Sequence, residues 1–492
     1  MATESQSKTS QLGPSLLALA GLLGTGLAAA WLRAVQRRSK RQRVAAEHEP
    51  REIYLARHAR KVQRVTEQLQ QRDSQRPVRI RKQAVSHMIP KPRDLKHQDD
   101  QIDISDFQEI LEIDPVSRTC VAESGVTFVD LVAATLRYGL VPIIVPELKT
   151  ITVGGAVSGC SLESMSFVYG GFHDTCLSYE LVTAKGEVLH CTPENEHGLL
   201  FQMIHSSFGT LGILTLLRFQ LIPAKPYVKL EYEKYSTVEQ YQAAIWRHYQ
   251  LRDVDFVDGI IHSDREYVLC VGRFVEHAPY TNRYDWTQVY YLSTQTRTED
   301  YLETSHYFFR YDHGVTNVHP KSFLGRLFFA PLFGSDELMS VAYQIRKLLP
   351  HEKPTIILDV FIPFSKMPEF LQWFQKEFQF FPLWCVPYKK VRNYEWLSKR
   401  FFEINTDELM IDLAIYGMEQ KGDRNYHKIM EDKLLEIGGL KTLISHNYFS
   451  EEDFWKIWNQ ENYAKVKAIT DPDNIFRDFY RKTCRVPMGS AD

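Results

Sequence analysis

The amino-acid sequence predicts an α+β protein with an N-terminal membrane anchor, a first domain around a glycine-rich turn, and an aromatic-rich second domain. Three observations support this. Residues 13–32 carry no charge, and a run of about twenty such residues can cross a bilayer. Two adjacent glycines, Gly154 and Gly155, follow a short apolar strand. Beyond Pro226, strands and helices alternate, which favours an antiparallel sheet covered by helices on one face.

Composition is that of a globular protein and argues against some functional classes. With 492 residues, 44% of them hydrophobic and 24% charged, the chain can form two or three domains with real cores. A net charge of -2 argues against a general nucleic-acid binder, which would show a basic excess. The seven cysteines form no CxxC pair and no Cys/His spacing, so neither a zinc site nor a disulfide framework is predicted.

Basic residues flank the predicted anchor on one side only. They are Arg33, Arg37, Arg38, Lys40, Arg41 and Arg43. By the positive-inside rule, the side C-terminal to the anchor lies in the cytosol. A cleaved signal peptide is the alternative, because the alanines at 28–30 resemble a cleavage site, but its charges would precede the apolar run.

A charged segment joins the anchor to the first domain. Its apolar positions recur at helical spacing, which predicts an amphipathic helix: Leu55, His58, Val62, Val65 and Leu69. Its basic face contacts either anionic lipid or solvent. The predicted division of the chain is 1–45 (anchor and basic flank), 46–74 (helix and linker), 75–226 (first domain) and 227–492 (second domain).

The first domain reads as alternating strands and helices around the glycine turn. Strands are predicted at 78–81, 101–104 and 119–123, a helix at 127–138, and a hairpin over 176–191. The simplest interpretation of Gly154 and Gly155 is a tight strand-to-helix turn. The functional interpretation is that a backbone without Cβ atoms can approach a flat or anionic ligand. The usual dinucleotide, phosphate-loop, nucleophile-elbow and zinc-protease motifs are absent from the sequence.

Several short motifs nevertheless occur in a fixed order. They are Asp103-Ile104-Ser105, Val121-Ala122-Glu123-Ser124-Gly125, Val145-Pro146-Glu147-Leu148, Thr152-Val153-Gly154-Gly155, Glu163-Ser164, Tyr169-Gly170, Tyr179-Glu180-Leu181-Val182, Cys191-Thr192-Pro193, Phe208-Gly209-Thr210-Leu211-Gly212-Ile213, Ile222-Pro223-Ala224-Lys225-Pro226 and Leu413-Ala414-Ile415-Tyr416-Gly417. With this set the chain resembles the vanillyl-alcohol-oxidase (PCMH) type of FAD-binding protein, and within it the sterol Δ24-reductase family. The resemblance covers nearly the whole chain after the anchor.

The resemblance implies non-covalent FAD in the first domain. The implied cofactor-binding residues are Thr152, Val153, Gly154, Gly155, Ala156, Val157, Ser158, Gly159, Cys160, Ser161, Leu162, Glu163, Ser164, Tyr169, Gly170, Gly209, Gly212 and Ile213. Backbone amides around Gly154, Gly155 and Ser158 are expected to meet the pyrophosphate. A solvated turn residue is the alternative for Glu163.

The sequence departs from the family in two places. The loop at 81–92, where relatives carry a small glycine-containing loop around the pyrophosphate, has no glycine. Arg81, Lys82 and Ser86 are its candidates for offsetting phosphate charge. The segment 307–319 keeps only part of an arginine- and tryptophan-containing stretch of relatives.

By resemblance, NADPH reduces FAD, and the reduced flavin passes a hydride to one carbon of a sterol side-chain double bond, C24–C25, at the endoplasmic reticulum membrane. A positioned acid must protonate the other carbon. Its candidates are Tyr307, Arg310, Asp312, His313, Asp412 and Tyr416. Two alternatives stay open: a flavin oxidase or dehydrogenase of an alcohol or sugar lactone, and a non-catalytic membrane protein that keeps the fold.

Overall fold

The computed structural model describes residues 44–72, 76–83, 99–285, 288–312, 314 and 356–484. The predicted anchor at 13–32, His313 and most of the loop at 81–92 lie outside these ranges. Across the described ranges, no helix combines the length and apolar character needed to span a membrane. The anchor therefore stays a prediction.

The amphipathic helix predicted before the first domain is present as α1, Arg51–Gln70, preceded by a 3-10 turn at Ala45–Glu47. It buries Tyr54, His58, Val62, Val65 and Leu69. The helical spacing was thus predicted correctly except at its start, where Leu55 is 38% exposed and Tyr54 takes its place in the core. The apolar face packs against strands of the first domain, so the described structure shows it covered by protein.

The first domain is built on an antiparallel six-stranded sheet. A separate parallel pair precedes it, formed by β1 (Val78–Arg81) and β2 (Asp100–Asp103). The sheet order is β3-β4-β8-β6-β7, with β5 also pairing β8. The strands are β3 (Ile110–Asp114), β4 (Thr119–Glu123), β5 (Leu140–Pro142), β6 (Cys176–Val182), β7 (Val188–Cys191) and β8 (Ile213–Pro223).

Short helices connect these strands. They are α2 (Phe128–Thr135) with its 3-10 extension Leu136–Tyr138, α3 (Val153–Ser158), α4 (Ser166–Tyr169), the 3-10 turn Phe172–Thr175, and α5 (Gly198–Met203). Gly139 ends the α2 segment in the left-handed conformation, with φ of 68°, as its sequence position predicts. The glycine motif forms α3 itself, and residues 143–152 separate it from the end of β5, so the prediction of a tight strand-to-helix turn at Gly154 and Gly155 is wrong.

The second domain contains an eight-stranded antiparallel sheet in the order β12-β9-β11-β10-β14-β15-β13-β16. Its strands are β9 (Tyr227–Tyr235), β10 (Phe256–Ser263), β11 (Glu266–Val275), β12 (Glu299–Glu303), β13 (Ile356–Pro363), β14 (Leu383–Lys389), β15 (Leu409–Met418) and β16 (Leu440–Lys441). The chain passes from one sheet to the other between Pro223 and Tyr227. The domain boundaries themselves stay a prediction.

Helices cover one face of this second sheet. The helices of this half are α6 (Val238–Leu251), α7 (Tyr290–Ser293), α8 (Thr304–Phe308), α9 (Met367–Phe378, after the 3-10 turn Phe364–Lys366), α10 (Lys399–Ile404), α11 (Tyr426–Ile437), α12 (Glu451–Ile457), α13 (Gln460–Thr470) and α14 (Phe479–Cys484). Side chains of α6, α9 and α11 pack on that face. The opposite face, with Trp384, Val386 and Ala414, shares a core with Phe128 and Val153 of the first domain. The glycine motif therefore lies beside the face of the second sheet that its helices leave uncovered.

Candidate functional site

The two glycines of the motif have different roles in α3. A Cβ on Gly154 would lie 2.8 Å from Ser124 Cβ and 2.9 Å from the Ser124 carbonyl oxygen, so two backbone segments could not approach as they do. At Gly155 the nearest atom is Thr152 Oγ1 at 3.1 Å, and Lys82 Nζ lies 3.8 Å away. Gly154 is therefore needed for packing. Gly155 faces a lysine, which is a suitable environment for an anionic group.

The amides of this motif already have partners within the protein. Those of Val153 and Gly154 donate to the carbonyls of Val126 and Ser124, each at 2.9 Å. The amide of Gly155 donates to Thr152 Oγ1 at 3.2 Å, which caps the helix. The expectation that amides around Gly154 and Gly155 are open to a pyrophosphate is therefore not met in this arrangement.

The turn after α3 opens into a cavity, called the central cavity below. Cys160, Ser206 and Phe208 have φ values of 54°, 59° and 50°, in the left-handed region that disfavours side chains. All three line this cavity, whose empty space of about 550 Å³ includes a part that is open to solvent. The amide of Phe208 ties the two turns together by donating to the Ser158 carbonyl at 3.1 Å. Backbone strain gathered around one cavity is typical of functional sites.

The second domain supplies the facing wall of the central cavity. Phe361, Tyr388, Trp396, Met410 and Leu443 contribute apolar and aromatic surface there. The wall on the first-domain side includes three members of the predicted cofactor-binding set: Gly159, Cys160 and Leu162. The cavity therefore joins the end of the glycine motif to the uncovered face of the second sheet.

Arg310 is buried between two carboxylates. Its Nη2 lies 3.2 Å from Glu163 Oε1 and 3.0 Å from Asp258 Oδ2. The guanidinium carbon lies 4.2 Å from the centre of the Tyr307 ring, which is a cation–π contact. Burial disfavours the charge, but Asp258 and Glu163 outweigh it and hold the pKa of Arg310 well above its usual value. Arg310 is a permanent cation here.

Hydroxyl and indole groups complete this cluster. Tyr307 Oη and Ser164 Oγ are hydrogen-bonded at 2.9 Å. Tyr311 Oη and Trp384 Nε1 donate to Asp258 Oδ2 at 2.8 and 2.9 Å. Since the neighbouring Glu163 is only 3% exposed, the alternative that it is a solvated turn residue is wrong.

A second cluster contains three carboxyl groups: Glu147, Asp359 and Asp412. Asp359 lies on β13 and Asp412 on the neighbouring β15. Because Asp412 pairs with Phe361 and Asp359 with Ala414, both acids lie on the same face of the sheet. Tyr416 Oη donates to Asp359, and so does Thr442 Oγ1 at 3.2 Å.

Burial favours the neutral form of all three acids. It raises the pKa of Glu147 to about 8, and the charges of Asp359 and Glu163 add to this effect. It raises the pKa of Asp359 to about 6, against the lowering effect of its hydrogen bonds from Tyr416 and Thr442. For Asp412, burial and then the charges of Asp359 and Glu147 raise the pKa well above its usual value. These groups can therefore carry protons near neutral pH.

The predicted catalytic residues fall into distinct places. Tyr307 and Arg310 belong to the first cluster, around the buried arginine (the arginine cluster). Asp412 and Tyr416 belong to the second, around the three carboxyl groups (the carboxyl cluster). Asp312 pairs with Lys149, its Oδ2 lying 2.6 Å from Lys149 Nζ. His313 lies outside the residues that the structure describes.

Some predicted cofactor residues lie apart from the central cavity. Gly212 has φ of 141°, and a Cβ there would lie 2.9 Å from Leu181 Cγ. Ile213 is buried in the core beneath α1. A Cβ on Gly170 would overlap the Asp174 carboxylate, and Tyr169 is 38% exposed. Their assignment to the cofactor stays a prediction.

The sequence reasoning missed Asp258, Asp359 and Trp384, and gave no site role to Glu147. A signal was present. Asp258, Asp359 and Asp412 are each a single acid within an otherwise apolar strand. Burying a lone carboxyl is unfavourable unless it is paired or protonated, so three such strands in one sheet indicate a site.

Comparison with known proteins agrees with this arrangement. Residues 50–192 match the family described as FAD binding domain, so the chain is of the FAD-binding class. It is 27% identical over 403 residues to the Delta(24)-sterol reductase of Homo sapiens, covering 77% of each chain. It is 26% identical over 436 residues to the Delta(24)-sterol reductase of Arabidopsis thaliana, covering 78% of this chain and 76% of the relative.

A shorter match relates part of the chain to a dehydrogenase. It is 33% identical over 144 residues to cytokinin dehydrogenase 5 of Arabidopsis thaliana, which is 28% of this chain and 26% of the relative. The matches that extend over both domains are those to the sterol reductases. Over 77–78% of its length the chain is similar to these Delta(24)-sterol reductases, and the resemblance seen in its motifs is confirmed.

Proposed function

We propose that this protein is an FAD-dependent oxidoreductase that reduces the C24–C25 double bond in the side chain of a sterol. The observation that carries the proposal is the central cavity, where the end of the glycine motif meets a sheet face with buried acids whose pKa values are raised. Saturating an unactivated double bond needs a hydride at one carbon and a proton at the other. The names of the relatives support the substrate class.

Residues of this chain fit FAD along the path from the glycine motif to the central cavity. Lys82, close to Gly155, would offset pyrophosphate charge. The strained turn at Gly159 and Cys160 would bring backbone against the ring end of the cofactor. Non-covalent binding is expected. Bound FAD would supply the hydride.

The rest of the central cavity suits a lipid. Phe361, Tyr388, Trp396, Met410 and Leu443 give it apolar and aromatic surface, which is typical of pockets that bury most of an apolar ligand. These side chains would exclude water from the reacting double bond and hold it beside the acids of β13 and β15.

NADPH is the proposed reductant of the flavin. Because the sequence has no dinucleotide-binding fingerprint, NADPH would bind transiently in the same cavity as the sterol. We therefore expect ping-pong kinetics, with excess sterol competing against NADPH.

The proposed location is the endoplasmic reticulum membrane, with residues 13–32 as a single span and both domains in the cytosol. The basic flank sets this orientation. A glycosylation acceptor placed near residue 60 should stay unmodified, whereas one near residue 5 should be used. The reverse pattern would contradict the orientation.

Two other functions are separable by experiment. One is the flavin oxidase or dehydrogenase of an alcohol or lactone. The match to cytokinin dehydrogenase 5 covers only 28% of this chain, so it supports a shared cofactor domain but not an alcohol or lactone substrate. The other is a non-catalytic protein that has lost FAD, and the glycine-free loop at 81–92 is the feature that favours it. A purified protein that stays colourless with added FAD would establish that case.

Anaerobic spectroscopy tests the proposed function against the oxidase alternative. NADPH should bleach the flavin band, and a sterol with a Δ24 double bond should then restore it without oxygen. If NADPH leaves the flavin oxidised while an alcohol or lactone reduces it, the proposal is wrong.

A further inference from the structure

Asp412 of the carboxyl cluster lies beside residues that form the wall of the central cavity. Asp412 is paired in register with Phe361 across β13 and β15. Met410 precedes it by two residues on the same face of β15. Both Phe361 and Met410 line the cavity, and directly opposite residues of neighbouring strands lie about 5 Å apart. The Asp412 carboxyl is therefore within a side-chain length of a molecule bound in the cavity.

Asp412 also differs from its neighbours in its hydrogen bonding. Asp412 is only 4% exposed, and its Oδ1 has no hydrogen-bond partner among the described residues. A buried carboxyl oxygen without a partner is unfavourable, most of all when it is ionised. A bound molecule in the cavity would give this group a partner.

The other acids and hydroxyls of the site are engaged elsewhere. Tyr307 is hydrogen-bonded to Ser164. Arg310 is held between two carboxylates, and Asp312 pairs with Lys149.

The groups on the two strands are also engaged. The Tyr416 hydroxyl donates a hydrogen bond to Asp359. Asp359 itself accepts from both Tyr416 and Thr442. Of the catalytic residues predicted within the described part of the chain, Asp412 is therefore the one that combines an unpartnered oxygen with a position in register beside Phe361 of the cavity wall.

We infer that Asp412 is the proton donor of the proposed sterol reduction, and the inference rests on that proposed function. The Asp412 O–H bond breaks and its proton forms a C–H bond at one alkene carbon. The other alkene carbon receives a hydride, with its electron pair, from reduced FAD, which returns to its oxidised form. Asp412 is left as a carboxylate and regains a proton from solvent before the next turnover.

Asp359 and Glu147 act through Asp412 as positioning residues. Burial, and then the negative charge that each of them carries once it is ionised, holds the proton on Asp412. The other charged and titratable groups nearby are Cys385, which interacts electrostatically with Asp412, and Arg310 and Glu163, which act on Glu147. Because Arg310 is itself held between two carboxylates, it does not reverse the acidic character of the cluster.

The test compares full-length wild type, Asp412→Asn, and Asp432→Asn as a matched control on the exposed face of α11, where Asp432 is 57% exposed. Each protein is loaded with FAD, reduced by NADPH without oxygen, and mixed with a Δ24 sterol. General acid catalysis contributes about 100-fold or more, so Asp412→Asn should slow reoxidation by the sterol at least that much while reduction by NADPH is unchanged. The control should match wild type in both steps.

A stability measurement gives a readout that does not depend on turnover. An acid whose folded pKa is raised keeps its proton where the unfolded chain has lost it, so it destabilises the fold increasingly as pH rises above about 4. Asp412→Asn removes this effect. In the full-length proteins, the melting temperature of Asp412→Asn relative to wild type should therefore rise as pH increases above about 4, whereas Asp432→Asn should show no such trend.

A third variant, Asp359→Asn, keeps the inference testable if Asp412→Asn fails to fold or to hold flavin. The rate of the sterol step should fall as pH rises and the donor loses its proton. Removing the charge of Asp359, which is present above its pKa of about 6, should move this fall to lower pH. A fall at the same pH as in wild type would overturn the inference.

The outcomes separate the inference from the proposed function. If the sterol does not reoxidise the wild-type flavin, the proposed function is wrong. If it does so in wild type and equally fast in Asp412→Asn, the function stands and the assignment of Asp412 is overturned.

Discussion

The helix before the FAD-binding domain is held in place by a charged histidine. His58 on α1 is buried, with Nδ1 2.8 Å from Glu123 Oε1 and Nε2 3.0 Å from Glu180 Oε1. Lys61, one turn further along, lies 2.8 Å from Glu123 Oε2. Burial opposes the charge on His58, but the hydrogen bonds and charges of the two glutamates outweigh it and raise its pKa to about 9. We predict that docking of α1 weakens as pH rises.

The size of this effect follows from the two pKa values. Raising the pKa of His58 from 6.5 to about 9 corresponds to about 3 kcal/mol of stability. A raised histidine pKa stabilises the fold fully below the unfolded value. The contribution is therefore complete below about pH 6.5 and is lost as pH rises through about 9. His58→Gln should remove the pH-dependent part and leave the other contacts of α1 in place.

Amide hydrogen exchange of α1, corrected for the intrinsic rate at each pH, measures its opening free energy. Wild type should lose up to about 3 kcal/mol between pH 6.5 and 9.5, and His58→Gln should lose much less. His48→Gln is the matched control, because the His48 side chain is 51% exposed, and it should follow wild type. Equal pH slopes in wild type and His58→Gln would refute the reasoning.

Three further substitutions test the packing and charge of the site. Gly154→Ala places a Cβ 2.8 Å from Ser124 Cβ and should lower the free energy of unfolding by about 1–3 kcal/mol, measured by chemical denaturation; an unchanged midpoint would contradict the close contact. Gly155→Asp should keep the fold, because a Cβ there meets nothing nearer than 3.1 Å, but its carboxylate would engage Lys82 and repel a pyrophosphate. A folded variant with normal flavin absorbance would show that Gly155 is only structural. Arg310→Met leaves two buried carboxylates without their cation and should cost about 3–5 kcal/mol, seen as a lower denaturation midpoint; wild-type stability would mean that the cluster is not a charged one.

Periodicity and turn signals predicted much of the fold. The spacing of His58, Val62, Val65 and Leu69 predicted α1, because a helix that packs on a core must bury one face. What the spacing could not show is the partner. The contacts of His58 with Glu123 and Glu180 join residues far apart in sequence, and no local pattern encodes them.

The glycine motif shows a similar limit. Its position after an apolar strand predicted a tight strand-to-helix turn, whereas both glycines lie inside α3, which residues 143–152 separate from β5. The reason for Gly154 is the approach of Ser124, a contact between segments that becomes visible only when the chain is folded. For the same reason, the amides of Val153 and Gly154 donate to the carbonyls of Val126 and Ser124 and are not open to a ligand.

The acids of the second sheet could have been predicted in part. The sequence shows single aspartates within mainly apolar strands at Asp258, Asp359 and Asp412. That these three acids lie in one sheet depends on the strand order β10-β14-β15-β13. That order brings together strands that are up to about 160 residues apart in the chain. Sequence reasoning named Asp412 as one candidate among several, and the register beside Phe361 is what distinguishes it.

The most direct test of the central claim is analysis of the product from a single anaerobic turnover. Protein with bound FAD is reduced by NADPH, mixed with a sterol that carries a Δ24 double bond, and the sterol is recovered for mass spectrometry. The account predicts a sterol that has gained two hydrogen atoms at the side-chain double bond, in proportion to the flavin reoxidised. In deuterated water, the carbon that the protein protonates should carry a deuterium in that product. Recovery of the unchanged sterol, with the flavin still reduced, would contradict the account.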